Sequence, residues 1–183
     1  TDFLLGKQMS NRKLGILGMG RIGRAVAKRA RGFGMEIHYH NRTKLAANLE
    51  EGAIYHDNIK SLFNNSEFLS INCPATKETT NLVNEQSINY LPDGAVVTNA
   101  ARGDIIDDNA MIKAMKSGKV FALGLDVYNG EPKINPEYLK LNNLFLLPHL
   151  GSATFRTRID MGNRAVDNLE NFFNNKRPKD QVN

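Results

Sequence analysis

Cysteine is nearly absent from this 183-residue chain: Cys73 is the only one. An internal disulfide is thereby excluded, and the usage fits a reducing compartment. No apolar run approaches the roughly 18 residues a bilayer-spanning helix needs. The opening Thr1-Asp2-Phe3 runs into polar sequence without the layout of a secretion signal. These absences point to the cytoplasm and away from a membrane. Internal repeats and low-complexity linkers are missing too, so nothing mid-chain marks a boundary. The expectation is one domain over residues 1–183, long enough to bury a substantial core. The chain starts without methionine in what reads as a connecting segment, so a fragment or isolated domain is expected.

Hydrophobic residues make up 41% and charged residues 23%, which suits a soluble globular domain. The net charge of +5 could attract nucleic acid, but the cations are spread along the chain rather than gathered in an arm. Nucleic acid is therefore not expected as a partner. A solvated surface accounts for the charge, or a phosphate-rich cofactor for part of it.

Short apolar runs alternate with helical stretches. The pattern predicts strands over 14–17, 35–39, 68–72, 95–99, 120–125 and 144–147. Helices are predicted over 21–33, 59–64, 85–91 and 107–117, the last with Asp107 as its cap and Ser117-Gly118 as its stop. A final helix over 153–174 carries an apolar stripe of Ile159, Val166, Leu169 and Phe173, and a polar tail follows it to Asn183. Strands that are apolar throughout and separated by helices imply an α/β fold with a parallel sheet covered on both faces. Right-handed crossovers then favour a doubly wound sheet.

Gly18-Met19-Gly20-Arg21-Ile22-Gly23 follows the first strand and opens the first helix, the context that gives this spacing meaning. Gly18 permits the tight turn, Gly20 lets a pyrophosphate approach the backbone, and Gly23 allows close helix–strand packing. The amides of Arg21 and Ile22 would then face the phosphates. An acidic residue normally ends the second strand and holds the ribose hydroxyls of NAD. Here that strand ends His38-Tyr39-His40-Asn41-Arg42-Thr43-Lys44, with no carboxylate. Arg42 could fork onto a 2′-phosphate, with Thr43 donating a hydroxyl and Lys44 adding charge. The reading favours NADP(H), with NAD(H) as the alternative if Arg42 and Lys44 are ordinary loop cations. His38 and His40 share one face of the strand; no third ligand is evident, so no metal site is expected.

Three later segments follow strand ends: 99–104 (Asn-Ala-Ala-Arg-Gly-Asp), 125–132 (Leu-Asp-Val-Tyr-Asn-Gly-Glu-Pro) and 148–154 (Pro-His-Leu-Gly-Ser-Ala-Thr). In an open parallel sheet, ligands sit at the carboxyl ends of strands. Arg102 is the natural anchor for a 2-oxo acid, since a guanidinium forks onto a carboxylate and polarises a nearby carbonyl. Hydride delivery to that carbonyl makes an alkoxide, which needs a proton donor. His149 suits the task, as imidazoles titrate near neutral pH. Glu131 could orient His149 and favour its protonated form. Asp126 could hydrogen-bond a nicotinamide carboxamide.

These segments and the glycine turn resemble the D-isomer-specific 2-hydroxyacid dehydrogenases over nearly the whole chain, most closely the glyoxylate/hydroxypyruvate reductase branch. The likeness extends to Cys73-Pro74 and Glu78-Thr79-Thr80, which are similar to the family's loop near the cofactor ribose. It implies a Rossmann fold and Arg102, Glu131 and His149 as the catalytic trio. It also implies cofactor contacts from Arg21, Ile22, Cys73, Pro74, Thr79, Ala100, Ala101, Arg102, Asp126, His149 and Gly151. The turn Asn41-Arg42-Thr43 is similar to that of NADPH-using members. Pro148 stands where formate dehydrogenases have glutamine, which disfavours formate. The family's N-terminal substrate domain and most of its dimerisation arm have no counterpart here, so the resemblance implies a homodimer only for the full-length protein and poor turnover for this piece alone. Glyoxylate or hydroxypyruvate reduction is the leading expectation. Another 2-hydroxy acid is the alternative within the class. A dinucleotide-sensing, corepressor-like module without turnover is the alternative outside it, because corepressor relatives can keep the trio.

Overall fold

Each strand of the chain feeds a helix or turn that returns it to the same edge of a sheet. In the computed structural model, which describes residues 5–182, the order is β1 (Lys13–Leu17), α1 (Arg21–Arg31), β2 (Glu36–His40), α2 (Ala47–Glu50), β3 (Ile54–Tyr55), α3 (Ile59–Asn64) and β4 (Phe68–Ile71). It continues with α4 (Glu85–Asn89), β5 (Ala95–Asn99), α5 (Asp108–Lys116), β6 (Val120–Leu125), β7 (Leu144–Leu146) and α6 (Phe155–Phe173). Residues 1–4 of the expected opening, and Asn183 at the tail's end, lie outside the described residues. The chain divides into two compact units, one ending at Pro148 and one beginning at His149.

In the first unit the seven strands form one sheet in the order β3-β2-β1-β4-β5-β6-β7, every neighbour parallel. This is the doubly wound arrangement expected. The strand order reverses between β1 and β4, the switch point at which open α/β sheets form a crevice. Alternation along β1 divides its side chains between two cores. Leu14 and Ile16 join Ala27, Ala30, Ile37 and Tyr39 on one side, whereas Leu17 joins Leu62, Phe63, Ile71 and Val97 on the other. Full burial of each leucine, isoleucine, valine or phenylalanine among these stabilises the fold by about 1.5–3 kcal/mol.

Helix limits follow local chemistry. Asp107 caps α5 by accepting from Ala110 N at 3.1 Å, and Ser117 with Gly118 at φ +79° ends it, as read from sequence. The helix α1 stops at Arg31 rather than 33, because Gly32, Phe33 and Gly34 donate to carbonyls three residues back and tighten the end. Four elements are additional to those expected, α2, the two-residue β3 and two single-turn 3-10 helices at Gly103–Ile105 and Tyr138–Lys140, all too short to show a period.

The second unit is built on α6, capped by Thr154, whose hydroxyl accepts from Thr157 N at 3.1 Å. Ile159, Val166, Leu169 and Phe173 of the expected stripe are exposed. The polar tail returns along the helix: Asp180 forms a two-pronged pair with Arg164 and accepts from Asn168 Nδ2 at 2.7 Å. Among the described residues no helix is long and apolar enough to cross a membrane.

Candidate dinucleotide and strand-end site

The turn between β1 and α1 can be made only with glycine at its critical points. Gly18 has φ +93°, and a β-carbon there would lie 2.5 Å from Cys73 N. A β-carbon at Gly23 would lie 2.4 Å from Gly18 O, so α1 packs directly on the turn. Gly20 is different: nothing stands within 4 Å of where its side chain would project, and the space over the first turn of α1 is open. No side chain caps α1, which leaves amide donors in its first turn for an anion. Gly18 N donates to His40 O at 3.0 Å, and Met19 N donates to Asn41 Oδ1 at 2.7 Å. Both bonds hold the turn against the end of β2, so Asn41 shapes the site as well as lining it.

A cleft of about 460 Å³ opens beside this turn. Gly18 and Gly20 line it from one side, Asn41, Arg42 and Thr43 from the end of β2, and Cys73, Pro74 and Thr79 from the loop after β4. These are eight of the residues singled out from sequence. Arg21, Ile22 and Gly23 continue from the turn into α1, with Ile22 exposed and Gly23 buried. Thr79 Oγ1 donates to Pro74 O at 2.8 Å and accepts from Thr76 N at 2.7 Å, which folds the third wall onto itself. Burial pushes the Cys73 thiol up to about 11, so it stays protonated and unreactive at neutral pH.

Sequence reasoning missed several lining residues, including Leu45, Ile59, Asn72, Thr76 and Leu82, and it quoted Glu78 without assigning it to the site. Glu78 is the one carboxylate among the described lining residues. A hydrogen bond from Thr76, aided by the charge of Arg42, holds its acid below the usual carboxylate range. The absence of an acid from the end of β2 was thus only part of the local charge pattern.

Ala100, Ala101, Arg102, Asp126 and Glu131 stand apart from this cleft, after β5 and β6. Asn99 and Leu125 are paired across these parallel strands, so both following loops leave the same edge of the sheet. The buried Asn99 braces the first loop, donating to Arg102 O at 2.8 Å and accepting from Ala101 N at 3.0 Å. Asp126 N donates to Asn99 O at 3.0 Å. Arg102 is exposed, with Nη1 donating to Ala101 O at 2.6 Å. Glu131 Oε1 accepts from Tyr128 N at 2.9 Å. His149 and Gly151 belong to the second unit. His149 has φ +57°, a left-handed conformation uncommon for a side-chain-bearing residue.

The His38 and His40 face of β2 meets a third imidazole. His38 Nδ1 lies 2.8 Å from His56 Nε2, and His40 Nδ1 lies 2.8 Å from His56 O. The ring nitrogens of His38 and His56 all lie within hydrogen-bond distance of a partner, Glu36 at one end and Ser61 at the other.

A parallel sheet wound in this order, with a glycine turn at its switch point and an uncapped helix behind the turn, defines a dinucleotide-binding domain of the Rossmann class. Residues 1–151 match the model of the D-isomer specific 2-hydroxyacid dehydrogenase NAD binding domain, and the chain belongs to that family. It is 42% identical over 172 residues to a glycerate dehydrogenase of Hyphomicrobium methylovorum, covering 93% of this chain and 53% of the relative. It is 43% identical over 180 residues to a glyoxylate reductase of Thermococcus litoralis, covering 98% and 54%. A solved NADPH-dependent glyoxylate/hydroxypyruvate reductase of Sinorhizobium meliloti, in complex with NADP and malonate, superposes with a TM-score of 0.85 at 35% identity, over 89% of this chain and 50% of that one. The chain spans about half the length of the curated relatives it matches.

Proposed function

We propose that the protein carrying this chain reduces a small 2-oxo acid, glyoxylate or hydroxypyruvate, to the 2-hydroxy acid with NADPH, in the cytoplasm and as a homodimer. The observation that carries the reading is the wall of the cleft at the end of β2, where Arg42 and Thr43 stand in place of a carboxylate. The residues present fit such a cofactor. The open space over Gly20 admits a pyrophosphate, the first-turn amides of α1 offer donors to it, and a guanidinium and a hydroxyl offer charge and donors to a 2′-phosphate. The solved relative whose name specifies NADPH supports the same preference.

When bound, the nicotinamide supplies the hydride. The chain's own residues do the rest. Arg102 holds the substrate carboxylate and polarises its carbonyl. His149 donates the proton that the developing alkoxide takes up, and in the oxidative direction removes it. Glu131 would orient that imidazole. Arg21, Ile22, Ala100, Ala101 and Gly151 would contact the cofactor, Asp126 would hydrogen-bond its carboxamide, and the loop of Cys73, Pro74 and Thr79 would lie near its ribose. The test is steady-state oxidation of NADPH by the intact protein with glyoxylate and hydroxypyruvate. Turnover with NADPH preferred over NADH is expected. No oxidation with any small 2-oxo acid would overturn the reading in favour of a dinucleotide-sensing module.

A further inference from the structure

We infer that Tyr128 is a positioning residue, tying together the loop that carries Arg102, the loop that carries Glu131 and the strand end from which the His149 segment departs. The inference rests on the roles proposed above for those three residues. Strand-end loops are the parts of an α/β domain freest to move, yet catalytic groups must be held within fractions of an ångström. Something must therefore cross-link them, and Tyr128 does so with three different parts of itself.

Its backbone amide donates to Glu131 Oε1 at 2.9 Å, which folds the carboxylate back onto its own loop. Its carbonyl group lies flat against the Arg102 loop. A β-carbon on Gly103 would come within 1.9 Å of Tyr128 C and 2.2 Å of Tyr128 O, so the two backbones touch with no side chain between them. Gly103 is buried and adjoins Arg102, whose own carbonyl is held by Asn99. The phenol reaches the other way. Its hydroxyl donates to Leu147 O at 2.5 Å, with Leu125 O further off at 3.3 Å. Leu147 N donates to Leu125 O at 2.8 Å, so Leu147 is fastened through both its amide and its carbonyl, two residues before His149. Burial, and then the charge of Asp126, push the phenol above its ordinary range. It therefore keeps its proton, as a donor to the carbonyl, at neutral pH.

Tyr128→Phe in the intact protein removes only the hydroxyl and keeps the ring that packs beside it. Loss of one such bond is expected to speed amide exchange across residues 147–151 about tenfold while leaving the central strands unchanged. It is also expected to lower kcat for 2-oxo acid reduction about tenfold, with KM and the NADPH dissociation constant within twofold. Faster exchange over the whole sheet would overturn the inference, since it would mark a merely structural tyrosine. Unchanged exchange at 147–151, or changed exchange with unchanged kcat, would overturn it equally. If the unmutated protein oxidises neither NADPH nor NADH with any 2-oxo acid, the proposed function has failed instead, and the exchange measurement still decides the tether.

Discussion

His38 Nδ1 and His56 Nε2 face each other at 2.8 Å in the protein interior, so only one proton fits between them. Glu36 at 2.6 Å from His38 Nε2 requires a proton on that nitrogen. Burial favours the neutral form of both rings, and His56 then donates from Nε2 and accepts from the Ser61 hydroxyl at Nδ1, 2.7 Å away. Both rings are neutral in this chain of bonds.

Acid should therefore weaken the fold. Burial is the main cause that lowers His38 below its ordinary value, with Lys13 acting the same way and Glu36 opposing. His56 is lowered by burial and then by His38, with His40 and Lys13 adding and Asp57 opposing. A folded-state value below the unfolded one means the unfolded chain binds more protons. The stability contributed is full above about pH 6.5 and is lost as pH falls through the folded values. The slope can reach about 1.4 kcal/mol per pH unit for each proton. Urea midpoints measured from pH 7.5 to 5 should fall steeply below 6.5, and His56→Gln should flatten the decline. An equal slope in that variant would show that other groups cause it.

Cofactor choice should turn on the opposed charges of Arg42 and Glu78. Arg42→Asp removes charged hydrogen bonds worth about 2–3 kcal/mol in total, on the order of a hundredfold in NADPH affinity, and leaves NADH little changed. Glu78→Gln removes the lining carboxylate and should tighten NADPH a few-fold relative to NADH, more at low salt. Fluorescence titration with both cofactors checks each variant. A wild-type preference for NADH would remove the basis for both expectations.

The glycine turn was legible because the conformation of Gly18 and the closeness of Gly23 to the backbone leave no substitute. The winding of the sheet was legible because β1, β4, β5 and β6 are short, mostly apolar runs separated by helices. What escaped notice depends on contacts distant in sequence. Thr76 and Glu78 become a wall of the cleft only when β4 pairs beside β1. His56 reaches His38 only because the two-residue β3 docks on β2, and no periodic pattern announces a strand that short. The spacing of His38 and His40 did place both on one face, where each meets His56.

Gly18 and Gly20 should respond differently to alanine. At Gly18 the positive φ costs about 1–3 kcal/mol, and the overlap with the Cys73 backbone adds to it. Gly18→Ala should lower the melting temperature markedly and abolish dinucleotide binding. Gly20 has φ −79° and open space around it, so Gly20→Ala should melt within a few degrees of the parent. Its methyl group would nevertheless occupy the space proposed for the pyrophosphate. Binding of NADPH should weaken at least tenfold with the fold intact. Parent-like affinity in Gly20→Ala would place the phosphates elsewhere.

Arg102 offers the sharpest test of the proposed chemistry, because among the described residues its exposed guanidinium bonds to the adjacent Ala101 O and the loop geometry is held by Asn99 instead. Arg102→Lys keeps the charge and loses the fork that matches a carboxylate. Stability should stay at the parental level, and NADPH affinity should fall far less than turnover. The value of kcat/KM for the 2-oxo acid should fall on the order of a hundredfold, about 2.7 kcal/mol of transition-state stabilisation, with KM rising and kcat falling together. A rise in KM alone would confine Arg102 to holding the carboxylate, without polarising the carbonyl. Activity within threefold of the parent would exclude it from the site.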